Sequence, residues 1–213
     1  MKKKLELYKY AILITSLVIL IMTPLWEATM TIPFSLIIVL SFTLVIFASI
    51  NVAEKKTLRL WIFLVGIGAL ISIWTEFASG YVPVFTYSRI TFTLALFFLL
   101  FYALVKNVIG AEKICVEMIV GVMSGFLLLG IIGGIAYESL ELCHPHSLEF
   151  SADSGNYGYF YFSFISLTSL GFGDVIPQTS LAQSFTVLLG ILGQFYLAFG
   201  VTVFIGKFLN NQS

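Results

Sequence analysis

The chain is 213 residues long, carries a formal net charge of zero at neutral pH, and contains 59% hydrophobic but only 10% charged residues. Since an ordinary soluble domain contains roughly 25% charged residues, this composition indicates an integral membrane protein. Zero net charge argues against a nucleic-acid partner, and no soluble portion is left on which a cofactor fold would sit.

Six apolar runs approach or reach the length of about 17 to 25 residues that crosses a bilayer. They cover residues 8–22, 32–50, 58–74, 84–105, 114–137 and 181–208. A further apolar run, residues 157–170, is too short to cross and is closed by Gly171 and Gly173. This pattern predicts a re-entrant half-helix with a returning loop between the fifth and sixth membrane helices.

Basic residues are distributed so that all of them except Arg89 fall on one side of the membrane when the N-terminus is cytoplasmic. The positive-inside rule then predicts a multi-pass protein of the cell membrane with both termini in the cytoplasm. The acidic residues of the opposite side are Glu27, Glu76, Glu138, Glu141, Glu149, Asp153 and Asp174. The lysine-rich start also fits a cleaved secretory signal, but no small-residue cleavage pattern follows Met22, which favours retention.

The most distinctive motif is the run Thr168–Asp174, TSLGFGD, called the glycine run below. Glycine accepts left-handed backbone angles that other residues avoid, so two glycines one residue apart let successive carbonyls point toward a common axis. A ring of such carbonyls can replace the water shell of a cation. Each chain has one such loop, and non-helical backbone at membrane depth must line an enclosed path, so several copies are expected around one pore.

The segment from Tyr161 to Asp174, YFSFISLTSLGFGD, resembles the pore helix and selectivity filter of tetrameric potassium channels. The resemblance extends over about residues 114–209 as outer helix, pore helix, filter and inner helix. It implies an all-α integral membrane protein with six transmembrane helices plus a re-entrant pore helix and filter loop between the fifth and sixth. It also implies a homotetramer in the lipid bilayer that conducts potassium ions passively and has no cofactor.

The resemblance assigns ion binding to the whole glycine run, which comprises Thr168, Ser169, Leu170, Gly171, Phe172, Gly173 and Asp174. The coordinating groups that it implies are the backbone carbonyls of residues 169–172 and one hydroxyl. The hydroxyl is that of Ser169, at the innermost site, where the family usually has threonine. Serine lacks the methyl group that stiffens χ1 in threonine, so we predict a looser innermost site.

Three residues of the pore helix are predicted to support the filter. Tyr161 and Phe162 occupy the positions of the family's aromatic cuff, and Ile165 stands where some relatives carry a glutamate. In those relatives the glutamate pairs with the aspartate that follows the filter. Without it, we predict that the Tyr161 hydroxyl is the partner of Asp174.

In the last helix, Gly193 lies where inner helices of the family carry a hinge glycine. Glycines in membrane helices also serve close packing, so both roles stay open. Gln194 is an amide at mid-membrane depth, which fits either pore lining or an interhelical hydrogen bond. Leu197 and Val201 share a helical face with Gln194 and are predicted to line the cavity with it.

Two domains are predicted, a four-helix membrane domain over residues 1–110 and a pore domain over residues 111–213. The first holds the position of a voltage sensor, but its fourth helix carries only Arg89 at its start and Lys106 at its end. Steep voltage gating takes roughly three to four charges per subunit, so we do not expect it. Arg89 is predicted to be an interfacial anchor paired with Glu76. The few residues after the last helix lead us to expect no soluble regulatory domain in this chain.

Cys143, His144 and His146 form a short Cys-His-x-His cluster in the predicted external loop. These are soft and borderline ligands, so the cluster is a weak candidate for an external metal site. Cys143 is alternatively a free thiol or, in an oxidising exterior, a cross-link between subunits.

Two other functions stay open, a non-selective cation channel and a non-conducting accessory membrane subunit. Catalysis is not expected, because both histidines lie in the predicted external loop and the spans hold almost no ionisable side chains.

Overall fold

The computed structural model describes residues 2–27, 34–50, 52–80, 82–111, 116–151 and 157–210. The helices are α1 Lys2–Ile21, α2 Thr23–Glu27, α3 Phe34–Ser49, α4 Lys56–Ser79, α5 Pro83–Gly110, α6 Val116–Cys143, α7 Tyr157–Leu167 and α8 Ser180–Asn210. Two short strands complete the described elements, β1 Leu148–Phe150 and β2 Val175–Pro177.

Four helices among the described residues are long and apolar enough to cross a membrane, namely α4, α5, α6 and residues 180–207 of α8. The apolar parts of α1 and α3, Tyr8–Ile21 and Ser35–Ser49, are shorter. Length and composition thus support four of the six predicted spans, and crossing by α1 and α3 stays a prediction. With 11 residues, α7 is only about 16 Å long, roughly half the hydrocarbon thickness.

Contacts divide the chain into two compact units, residues 1–127 and 128–213. The division falls inside α6, downstream of the boundary at residue 110 that the sequence suggests. Each unit has its own interior, and they are described separately.

In the first unit, α4 and α5 pack against each other and are joined by a short connection. Gly80 ends α4 with a left-handed φ of 71°, and Pro83 begins α5, where its fixed φ and missing N–H are tolerated. Arg89 of α5 donates to Glu76 of α4, as predicted, and the Thr86 hydroxyl donates to the same carboxylate over 2.7 Å.

In the second unit, the later part of α6 packs against α7 and α8 through small residues and one buried tyrosine. A Cβ at Gly130 would lie 2.2 Å from the Phe164 ring, so the glycine lets α7 approach. The Ser163 hydroxyl donates to the Gly130 carbonyl over 2.7 Å. Tyr137 is fully buried, and its hydroxyl lies 2.8 Å from that of Thr186 in α8.

Strands β1 and β2 pair antiparallel in the register Leu148↔Pro177, Glu149↔Ile176 and Phe150↔Val175. The purely helical expectation missed this pairing. Strands of three residues are too short for alternation to reveal, and the partners are separated by α7 and the glycine run. The described fold is therefore helical apart from one two-stranded ladder.

Helix α6 also extends further than predicted, because it ends at Cys143 and not at residue 137. Its last turns carry Glu138 and Glu141, which the apolar-run criterion assigned to a loop. A helix can continue into a polar environment because its backbone bonds are internal, whereas the criterion counts only apolar residues.

Candidate functional site

The glycine run begins at the C-terminal end of α7, where the backbone closes in a Schellman motif. The amide of Leu170 donates to the Ile165 carbonyl over 2.9 Å, and the amide of Ser169 donates to the Ser166 carbonyl over 3.1 Å. This pair of bonds places Ser169 in the left-handed position that usually belongs to glycine, and its φ is 60°. A left-handed non-glycine residue costs roughly 1–2 kcal/mol, so surrounding bonds must stabilise this turn.

Left-handed residues alternate along the run. Ser169, Gly171 and Gly173 have φ values of 60°, 54° and 80°. In an extended chain, successive peptide carbonyls point to opposite sides. When the handedness of successive residues alternates, these carbonyls point to the same side. The amide of Gly171 also donates to the Ile165 carbonyl over 3.3 Å, which keeps the start of the run close to α7.

The outer end of the run is held by several polar bonds. The Tyr161 hydroxyl donates to Asp174 Oδ2 over 2.5 Å, as predicted. The amide and the hydroxyl of Ser151 donate to the Asp174 carbonyl over 3.0 and 2.7 Å. The next residue, Val175, pairs with Phe150, so the run passes directly into the β1–β2 ladder.

The hydrogen bond to Asp174 raises the pKa of the Tyr161 phenol above its ordinary value. Tyr161 therefore keeps its proton at neutral pH and remains a donor. Oδ1 of Asp174 is buried without a hydrogen-bond partner among the described residues, so Tyr161 carries the side-chain interaction of this carboxylate.

The other two predicted support residues lie behind the run. Phe162 and Ile165 are both buried. Phe162 packs on Tyr137 of α6 with ring centroids 4.8 Å apart, so it anchors α7 in the unit. Ile165 acts on the run through its carbonyl, which accepts from both Leu170 and Gly171. Within the single chain, Tyr161 is the predicted cuff residue whose side chain bonds to the run.

At the inner end, Gln194 of α8 donates from Nε2 to Ser169 Oγ over 3.1 Å. From the sequence, Gln194 could either line the pore or form a hydrogen bond to another element. The structure shows the hydrogen bond. The side chain is nevertheless exposed in the single chain, as are Leu197 and Val201 further along α8.

Gly193 lies at a close approach between α7 and α8. A Cβ at this position would lie 2.1 Å from the carbonyl oxygen of Leu167, the last residue of α7. Close packing is therefore a sufficient reason for glycine here, and the α8 helix continues through it without interruption. The hinge role stays a prediction.

The structure does not bring Cys143, His144 and His146 together as a metal-binding group, and none is found elsewhere among the described residues. Cys143 is the last residue of α6 and has a free, exposed thiol. His146 lies in a turn with a φ of 65°. Its geometry is set by Glu141 of α6, whose carboxylate accepts the backbone amides of His146, Ser147 and Leu148 over 2.6, 3.0 and 3.1 Å.

Glu141 and Ser151 are the polar residues around the site whose roles sequence reasoning missed. In the sequence, Glu141 is one of several acidic residues of the predicted external loop, and Ser151 belongs to no motif. Both act on backbone groups that are distant in sequence, so local pattern gives no signal for them.

Residues 124–210 match the family model described as ion channel. The matched segment includes α7, the glycine run, β2 and α8, and covers less than half of the chain. The match supports an ion-channel family, and with it a protein of the lipid bilayer that transports ions and works as an oligomer. It also favours transport over catalysis. An ion-channel family has no cofactor, and potassium as the permeant ion is consistent with the match. No curated protein and no solved structure gives a match.

Proposed function

We propose that this protein is a potassium-selective channel in which the glycine run of four identical chains forms the selectivity filter. The observation that carries the proposal is the alternation of left-handed residues at positions 169, 171 and 173 immediately after a helix too short to span. This geometry directs carbonyls toward one side, and four such loops around an axis provide the oxygen cage that replaces the hydration shell of potassium.

The electrostatics of α7 favour a cation at the same place. Its C-terminal end lies at Leu167, directly before the run. The negative end of the helix dipole points in that direction and stabilises positive charge nearby. In a tetramer, four such ends converge on the inner end of the filter.

The exposure of the glycine run in the single chain supports a pore built from several copies of the chain. Leu170 and Phe172 are 60% and 67% exposed in the single chain. Residues 168–173 are non-helical and exposed in the single chain, and such backbone at membrane depth is tolerated only where protein encloses it or it lines an aqueous path. A closed ring of four chains covers the filter loops and leaves their carbonyls facing the axis.

Weak voltage dependence is part of the proposal. Arg89, the one arginine of α5, is paired with Glu76 of α4. An ion pair at the end of two packed helices anchors them and provides no series of charges that crosses the field. We further propose that both termini are cytoplasmic, since the basic residues then lie on the inner side.

The test is ion flux through purified protein in liposomes, with potassium, rubidium and sodium compared in the wild type and in Gly171→Ala. Alanine at a φ of 54° is strained although nothing lies within 4 Å of the added Cβ. We expect the preference for potassium over sodium to fall about tenfold or more, because a strain of roughly 1–2 kcal/mol distorts the carbonyl cage.

Gly206→Ala is the matched control. Its added Cβ also meets nothing within 4 Å, and the residue lies in the helix α8, where alanine is favoured. Selectivity in this variant should equal that of the wild type. Equal potassium and sodium flux in the wild type would identify a non-selective cation channel, and absence of all flux would favour an accessory subunit.

A further inference from the structure

Within the described part of the chain, one side-chain bond joins the inner end of the glycine run to another helix. Gln194 Nε2 donates to Ser169 Oγ over 3.1 Å, and the two residues lie 25 positions apart in the sequence. Ser169 is the residue whose hydroxyl faces the innermost ion site under the proposed function. The amide of Gln194 therefore contacts the one side-chain oxygen of the run that is placed to bind an ion there.

Ser169 needs such a contact more than the other left-handed residues of the run do. Gly171 and Gly173 have no side chain and adopt positive φ without strain, whereas Ser169 has a Cβ and a φ of 60°. A serine side chain also lacks the β-methyl that restricts χ1 in threonine. Its hydroxyl can therefore occupy several rotamers unless a partner selects one.

The left-handed backbone also explains why serine is better suited to this turn than threonine. A positive φ is a genuine outlier for a β-branched residue, whereas an unbranched residue such as serine has only the ordinary cost of roughly 1–2 kcal/mol. Threonine would stiffen χ1 and at the same time strain the turn. Serine with an external hydrogen bond obtains a fixed rotamer without that strain.

Gln194 reaches Ser169 because α8 runs directly against the end of α7. Gly193 makes this possible, since its Cβ position lies 2.1 Å from the Leu167 carbonyl oxygen. The neighbouring residue Gln194 is thereby held beside the turn that follows α7. Glycine at 193 and glutamine at 194 thus act together, the first by allowing the approach and the second by forming the bond.

We propose that Gln194 is a positioning residue for the innermost potassium site. Its amide N–H occupies one lone pair of Ser169 Oγ, fixes the rotamer of the side chain, and leaves the second lone pair for the ion. This inference rests on the proposed function, because it assigns a role to Gln194 at the same filter.

The experiment measures block by barium, a divalent cation of nearly the size of potassium, applied from the side on which α8 ends. Gln194→Met keeps the length of the side chain and removes the donor. We expect its barium affinity to be about fivefold lower, the effect of losing one hydrogen bond. Gln183→Met, the same substitution three turns away on α8, should leave the affinity within about twofold.

A second variant separates a positioning role from a general packing role. Ser169→Ala removes the hydroxyl and should lower barium affinity by itself. In the Ser169→Ala background, Gln194→Met should have no further effect, because the two side chains act through one bond. An additive double variant, or a Ser169→Ala variant with wild-type affinity, would overturn the inference.

Failure of the inference and failure of the proposed function give different results. A wild-type protein that conducts potassium and sodium equally removes the proposed function and the inference with it. A selective wild type whose barium block is unchanged by Gln194→Met removes the inference alone. Tetramer mass, measured for every variant, shows whether a loss of conduction comes from failed assembly.

Discussion

The two ends of the glycine run are anchored in different ways. At the outer end, Asp174 accepts bonds from Tyr161 and Ser151, and the chain continues into a β ladder. At the inner end, Ser169 has the backbone bonds of a helix cap and one side-chain bond to Gln194. We therefore expect the outer end to stabilise the run and, under the proposed function, the inner end to tune ion binding.

The largest expected effect comes from Gly193→Ala, which acts on the inner end through packing. The added Cβ would lie 2.1 Å from the backbone carbonyl oxygen of Leu167, which cannot rotate away as a side-chain atom can. Helices α7 and α8 must separate, and we expect a loss of stability of about 1–3 kcal/mol together with the loss of the Gln194–Ser169 bond. Thermal unfolding of the purified protein in detergent measures the first effect.

Gly190→Ala is the control for this substitution. It lies one turn earlier on the same helix, and its Cβ would be 3.5 Å from the Ser166 carbonyl oxygen, an ordinary contact. We expect unfolding temperatures close to that of the wild type. If both alanine variants lose stability equally, close approach at Gly193 is not what holds the inner end.

The next effect is that of Tyr161→Phe at the outer end. The substitution leaves the Asp174 carboxylate without its donor, which costs about 1–2 kcal/mol for a partly buried bond. We expect a lower unfolding temperature with barium affinity unchanged within about twofold. Tyr159→Phe in the same helix keeps its ring contact with Phe150 and should be nearly neutral.

The hydrogen bond from Tyr161 to Asp174 stabilises the folded protein over a defined pH range. The bond to Asp174 raises the pKa of Tyr161, so the folded state favours the protonated phenol. Its contribution is complete below the ordinary tyrosine pKa of about 10 and is lost as the pH rises through the higher folded value. A difference between wild type and Tyr161→Phe that disappears already at neutral pH would contradict this assignment.

The smallest effect expected is that of Glu141→Gln, which acts on the outer loop at a distance from the run. One amide oxygen cannot replace two carboxylate oxygens that accept three backbone amides. We expect a loss of about 1 kcal/mol and faster hydrogen exchange at residues 146–148. Glu149→Gln, which alters an exposed bond to Gln178, is the control, and equal exchange in both variants would argue against a special role for Glu141.

Local pattern was sufficient to find the parts of this site that are continuous in sequence. Apolar runs located α7 and α8 to within a few residues, and the glycines marked the loop between them. The Tyr161–Asp174 bond was predicted through the resemblance, because Ile165 stands where some relatives carry the glutamate that pairs with the aspartate. In each case the evidence lay within about a dozen neighbouring residues.

The remaining features depend on residues that meet only in the folded chain. The β1–β2 ladder joins strands on either side of α7, and Gln194 reaches Ser169 only because Gly193 admits the end of α7. Composition also did not indicate that α6 extends to Cys143 and that its residue Glu141 therefore binds the backbone of the following loop. The looser innermost site at Ser169 stays a prediction, and the left-handed φ of this residue could not be read from local pattern.

The most direct test of the central claim is the reversal potential of the wild-type protein in a planar bilayer, with potassium on one side and sodium on the other. A filter built from the carbonyls of residues 169–172 should drive the reversal potential toward the equilibrium potential of potassium. A reversal potential near zero at equal cation concentrations would contradict the assignment of the glycine run as a potassium filter.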